Sequence, residues 1–119
     1  MALSRDQILQ LGTKLEVIEI DIPEWGTDAK VFIRELMAGE RDKIEMLGAQ
    51  LAKNPNAMAD FRARIAVMAI CDAEGTRLFQ DADLQRVSKL GGKALDRIFD
   101  AVRKLSGLDD SSVEEAEKN

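Results

Sequence analysis

The chain has 119 residues, 45% of them apolar, and a formal charge of −5 from 17 basic and 22 acidic side chains. That size and composition fit one globular domain with a modest core, and the acidic balance argues against a nucleic-acid surface, which relies on Lys and Arg to neutralise phosphates. With no His, no Tyr and Cys71 as sole cysteine, the chain lacks the commonest general base and zinc ligand and any intramolecular disulfide.

Residues 4–11 predict a short helix, with Ser4 as N-cap, Gln7 three residues later, and Ile8, Leu9 and Leu11 as its apolar positions. Gly12 ends it. "KLEVIEIDI" (14–22) and "AKVFIREL" (29–36) are strand candidates around the turn "PEWGTD", and together make a β-hairpin. In the second strand Val31 and Ile33 share one face and Phe32 takes the other. A hairpin alone is marginal and must pack on something.

From residue 38 the period becomes helical. Ile44, Leu47 and Leu51 recur on one face before "NPN" (54–56) interrupts. A broad stripe follows through Met58, Phe61, Ile65, Met68 and Ala69, widened by Val67 and Ile70. Such breadth predicts a central helix over 57–72, contacted on two sides. A fourth helix is expected over 81–90, with Asp81 as its N-cap. Residues 93–105 carry Leu95, Ile98, Phe99, Val102 and Leu105 on one face, then Arg103 and Lys104 near the helix end and Gly107 beyond it. The expected fold is α+β, mainly α: a small N-terminal hairpin (14–36) on a bundle of about four helices, all within residues 1–108. "DDSSVEEAEKN" (109–119) is too polar to repay its ordering entropy and reads as a disordered acidic tail.

"CDAEGTRLFQDAD" (71–83) is the stretch that most resembles a metal site. Counted as an EF-hand loop from Asp72, however, its glycine, Gly75, falls at the fourth position rather than the sixth. A turn explains the same residues: Gly75 takes a positive φ, Leu78 and Phe79 anchor the connection on the core, and Asp81 and Asp83 begin the next helix. Cys71 reads as a small buried hydrophobe whose pKa its acidic neighbours raise. A lone thiol fits a reducing compartment such as cytoplasm. "GGK" (91–93) lacks the rest of a phosphate loop and reads as a helix break. No nucleophile–base pair can be named, so no enzyme and no cofactor are expected. No run approaches a membrane span, and the start has no signal-peptide pattern. Candidate partner contacts are Trp25, in a turn where core and exposed roles are both open, with Phe32, Met58 and Phe61.

The order "DIPEWG…VFIRELMAGERDKIE…ARIAVMAICDAEGTRLFQDADLQRVSKL…ALDRIFDAVRKLSGL" resembles the tail assembly chaperones of long-tailed (siphovirus-type) bacteriophages over residues 14–108. The resemblance implies a non-enzymatic, mainly helical protein that binds the tape measure protein and recruits tail tube subunits. It implies action in the host cytoplasm, loss from the finished virion, and self-association. Copies joined head to tail would form an open spiral rather than a closed ring. The alternative from another class is a small head–tail connector or other virion component. The resemblance also implies a programmed ribosomal frameshift in some chains. Glu117-Lys118-Asn119 can encode the slippery site A-AAA-AAC, with the tail as linker to an appended domain.

Overall fold

Among the described residues, the most buried charged pair, Arg34 with Glu40, sits where the second strand hands over to the second helix. A computed structural model describes residues 2–51, 53 and 60–108. Its elements run α1 (Arg5–Gly12), β1 (Val17–Asp21), β2 (Lys30–Arg34), α2 (Ala38–Leu51), α3 (Phe61–Ala69), β3 (Ile70–Cys71), α4 (Leu84–Val87) and α5 (Gly92–Ser106). The architecture is α+β and mainly α, as the periodicities predict.

The hairpin forms as expected, antiparallel with Ile18 opposite Ile33 and Ile20 opposite Val31. Its hydrogen bonds run one pair past each strand end, through Ile22 N–H to Ala29 O at 2.9 Å and Glu35 N–H to Glu16 O at 2.8 Å. A third strand was not expected. The helix predicted to continue through Asp72 stops at Ala69, where Ile70 becomes extended (φ −66°, ψ 126°). Ile70 and Cys71 then pair with Ile33 and Phe32, placing β2 in the middle of a three-stranded sheet. A β-branched residue at the end of an apolar stripe serves either structure, and the free edge of β2 decides for strand.

Residues opposite one another share a face. Ile18, Ile33 and Ile70 therefore point together, and Ile33 and Ile70 are fully covered in the core with Ile65, Ile98, Phe99 and Val102. α3 is the central helix the broad stripe predicts. It buries Phe61, Ala63, Ile65, Ala66, Val67 and Ala69. α5 buries Leu95, Ile98, Phe99 and Val102, while Leu105, expected inside, is half-buried. On α2, Ile44 is buried and Leu47 half-buried.

The opposite face carries Arg34, only 3% exposed. Its guanidinium meets Glu40 in a fork, Nη1 to Oε1 at 2.9 Å and Nη2 to Oε2 at 2.8 Å. Glu40 Oε1 also accepts from Met37 N–H at 2.9 Å, satisfying a donor at the start of α2. Leu36 N–H donates to the buried hydroxyl of Ser106 at 2.9 Å, fastening the same corner to the last turn of α5. α5 then ends as its sequence predicts: Gly107 takes φ +68°, and Leu108 N–H returns to Arg103 O at 3.0 Å.

The connection 81–90 differs from expectation. It is a 3-10 turn (Asp81–Asp83) leading into the four-residue α4, and the cap is Gln80, whose N–H donates to Asp83 Oδ2 at 2.9 Å. Asp81 instead pairs with Arg77 at 3.0 Å. Leu78, expected to anchor the connection, is 57% exposed, and Phe79 alone of the two packs on the core.

Burial works against ionisation of Glu40, but the Arg34 hydrogen bonds, the Met37 N–H and the Arg34 charge outweigh it and hold the carboxyl below its ordinary value. A lowered folded pKa gives stability that is present above the unfolded carboxylate pKa and is lost as pH falls through the folded one. Urea denaturation from pH 7 to pH 3 is expected to show that loss, with a flatter profile for Glu40→Gln. At pH 7, Glu40→Ala should cost about 3–5 kcal/mol by leaving Arg34 buried without a counter-charge, and Arg34→Met combined with Glu40→Leu should recover much of it.

Candidate partner-binding surface

α1 is built to be a helix and then buries nothing. Ser4 Oγ accepts from Gln7 N–H at 3.3 Å, and Gln7 Oε1 accepts from Ser4 N–H at 2.9 Å, the predicted reciprocal cap. Thr13 Oγ1 closes the other end on Leu9 O at 2.8 Å. At 3.6 residues per turn, Leu11, Ile8, Gly12, Arg5 and Leu9 fall on one arc of roughly 160°, and Asp6, Gln10 and Gln7 on the other. Yet Leu3, Ile8, Leu9 and Leu11 are each 51–53% exposed. The sequence marks these residues as a helix face but holds no sign of what covers it.

A second incompletely covered surface lies between β1 and α5. It is an open groove of about 950 Å³, lined by Ile18 of β1 with Glu16 just before that strand, and by Ala101 and Leu105 of α5 among that helix's charged side chains. α5 covers the middle of the sheet, so the outer strand keeps Ile18 half-buried, as it does Ala101 and Leu105 across the groove. At one end, Arg97 holds Glu24 in a fork with distances of 2.9 and 2.8 Å. That hydrogen-bonded pairing keeps the Glu24 carboxyl below, and the Arg97 guanidinium above, its ordinary value.

The pair also fixes the 3-10 turn Pro23–Trp25, on which Trp25 stands 44% exposed. The other candidate contacts separate. Phe32 is half-buried opposite Cys71 in the sheet. Phe61 is 5% exposed, its ring 5.9 Å from that of Phe99, and so belongs to the core. Met58 lies outside the described residues. The sequence places Phe61 on an amphipathic stripe but cannot distinguish a stripe facing α5 from one facing a partner.

The acidic stretch is a turn. Asp72 Oδ1 accepts from Glu74 N–H at 2.9 Å and Thr76 N–H at 3.0 Å, and Gly75 takes φ +87°. Among the described residues, no group of three or more His, Cys, Asp or Glu is arranged to hold a metal ion. Burial pushes the Cys71 thiol up; Arg34 opposes this and Asp72 adds to it. No helix among the described residues is long and apolar enough to cross a membrane.

A family profile described as phage tail assembly chaperone matches residues 5–119. The chain belongs to that family. The solved structure of the bacteriophage HK97 tail assembly chaperone shares the fold, with a TM-score of 0.62 at 15% identity over 90% of this chaperone and 100% of that chain. No curated protein sequence matches the chaperone. The family matches the resemblance read from residues 14–108.

If α1 is without a cover in the dilute chain, Ile8→Ser and Leu11→Ser, alone or together, should change stability by less than about 0.5 kcal/mol. Ile98→Ala, in the core, should cost about 2–5 kcal/mol. Urea denaturation at low protein concentration measures both.

Proposed function

We propose that this chaperone binds the phage tape measure protein in the host cytoplasm, coats it in multiple copies, helps recruit tail tube subunits, and leaves before the virion is complete. Residues 1–108 form the chaperone domain in this reading, and 109–119 serve as an acidic linker. Family membership supports a role in tail assembly. The observation that carries the binding reading is the amphipathic α1, whose apolar Ile8, Leu9 and Leu11 are each 51–53% exposed and which has no buried residue. A long, largely helical client can be met by helix-in-groove packing, which such apolar surfaces provide. Self-association follows from the same exposed arc. A slip at Glu117-Lys118-Asn119 would append the tube-recruiting domain to a fraction of the chains.

Co-expression with the tape measure and tail tube proteins encoded by the same phage should give a complex that co-purifies with the tape measure protein. Purified virions should lack the chaperone, and its retention there would favour a connector or other virion component instead. Trp25 is the sole tryptophan and is partly exposed, so its emission should move to shorter wavelength if the client covers that turn. An AAG codon at Lys118 would remove the proposed slip.

A further inference from the structure

We propose that Trp25 is an anchor contact for the client, and that Arg97 of α5 is its positioning residue, acting through Glu24. The inference rests on the client binding proposed above. It specifies the surface and the chemistry of the occupant, a basic amphipathic segment. Trp25 is the sole tryptophan and is 44% exposed. Its backbone is nonetheless held at both ends. Ile22, three residues earlier, is fully buried, and its carbonyl accepts from Trp25 N–H at 3.0 Å. Gly26 N–H returns to Pro23 O at 3.2 Å, Ala29 N–H to Gly26 O at 3.2 Å, and Ile22 N–H to Ala29 O at 2.9 Å. Gly26 takes φ +141° with ψ 162°, a region that is essentially glycine's alone.

The last restraint comes from far along the chain. Glu24 stands between Pro23 and Trp25, and the Arg97 guanidinium takes both of its oxygens. An exposed pair of this kind adds little stability, but a two-point fork fixes direction. The turn is thereby tied to α5 and cannot rock away from it. A tryptophan on a rigid support loses little freedom on binding, which is what lets one side chain carry much of an interface.

Charge defines what the indole meets. The hairpin end that carries it holds Asp21, Glu24 and Asp28. Arg97 occupies Glu24, and Lys30 is shared between Glu19 at 3.2 Å and Asp21 at 3.5 Å. Asp28 is exposed in the same loop, with no cation set against it among the described residues. A client helix that covers the indole with an apolar side chain and places a Lys or Arg one turn away serves both groups, and the cation can also lie on the indole face.

The test uses the full chain and the tape measure protein of the same phage, labelled so that binding is read without the indole. Trp25→Ala should weaken binding at least about tenfold, with an unchanged circular dichroism spectrum. Arg97→Gln should weaken it about three- to tenfold, and the exchanged pair Glu24→Arg with Arg97→Glu should restore it. Added to Trp25→Ala, Arg97→Gln should cost nothing further, because it acts only through the indole. In the free chain, Arg97→Gln should lower the fluorescence anisotropy of the sole tryptophan as the turn loosens. Binding should also weaken as salt rises. Unchanged anisotropy, or equal losses from Arg97→Gln with and without Trp25, would overturn the positioning role. Full binding by Trp25→Ala would overturn the surface, and binding indifferent to salt its basic occupant, while the client reading stands. An unsubstituted chain that does not bind the tape measure protein would end both.

Discussion

The fold turns on the fork between Arg34 and Glu40. A charge buried to this degree must be paired and hydrogen-bonded, and each oxygen of Glu40 is used on Arg34, with one also serving Met37 N–H. The consequence is positional. The last residue of β2 and the first turn of α2 are locked together, so the chain must reverse through residues 35–37. There Leu36 N–H reaches the Ser106 hydroxyl and brings the end of α5 to the same corner. Two neighbouring segments thus meet the end of α5, far along the chain, at one buried polar point. Replacing such a pair by apolar residues is often neutral or stabilising, whereas removing one partner is costly.

Much of this was legible in the sequence where local rules act alone. Ser4 and Gln7 form the reciprocal cap, Gly75 and Gly107 take the left-handed turns expected of them, and the hairpin pairs as its alternation predicts. The misreadings share a cause: each depends on a partner far along the chain. Ile70 is helical by pattern and extended because β2 offers it an edge. Asp81 is a good N-cap by type, but Arg77 takes its carboxylate, and the cap falls to Gln80. Phe61 cannot be told from a surface aromatic without knowing that Phe99 lies beside it. The candidate surface was half-visible. The apolar positions of α1 could be read, whereas the groove exists only once β1 and α5 are adjacent.

A likeness of 15% identity with a TM-score of 0.62 means that the fold tolerates near-complete exchange of side chains. Cores accept this when volume and pattern are kept. The energetics of the exposed α1 face suit weak, reversible contact. Covering the exposed halves of Leu3, Ile8, Leu9 and Leu11 is worth about 0.8–1.5 kcal/mol each, roughly 3–6 kcal/mol in all. Association costs about 4–15 kcal/mol in lost freedom. One such contact comes close to break-even. In the proposed role, a client that gathers many copies would raise their effective concentration, and its departure would let the copies separate.

Sheet proteins also face the hazard of edge-to-edge strand pairing, and the two margins of this sheet meet it differently. Beside β3, Arg77 bridges to Cys71 and Leu78 N–H donates to Ile70 O at 3.1 Å, so that margin is occupied. Beside β1 no further strand pairs among the described residues, but Glu19 and Asp21 stand on the strand with Glu16 just before it, and Lys30 offsets only part of their charge. Two such strands brought together edge to edge would oppose carboxylate to carboxylate, a known defence against runaway strand pairing. Those carboxylates would oppose amyloid-like zippering if copies were gathered along a client as proposed above.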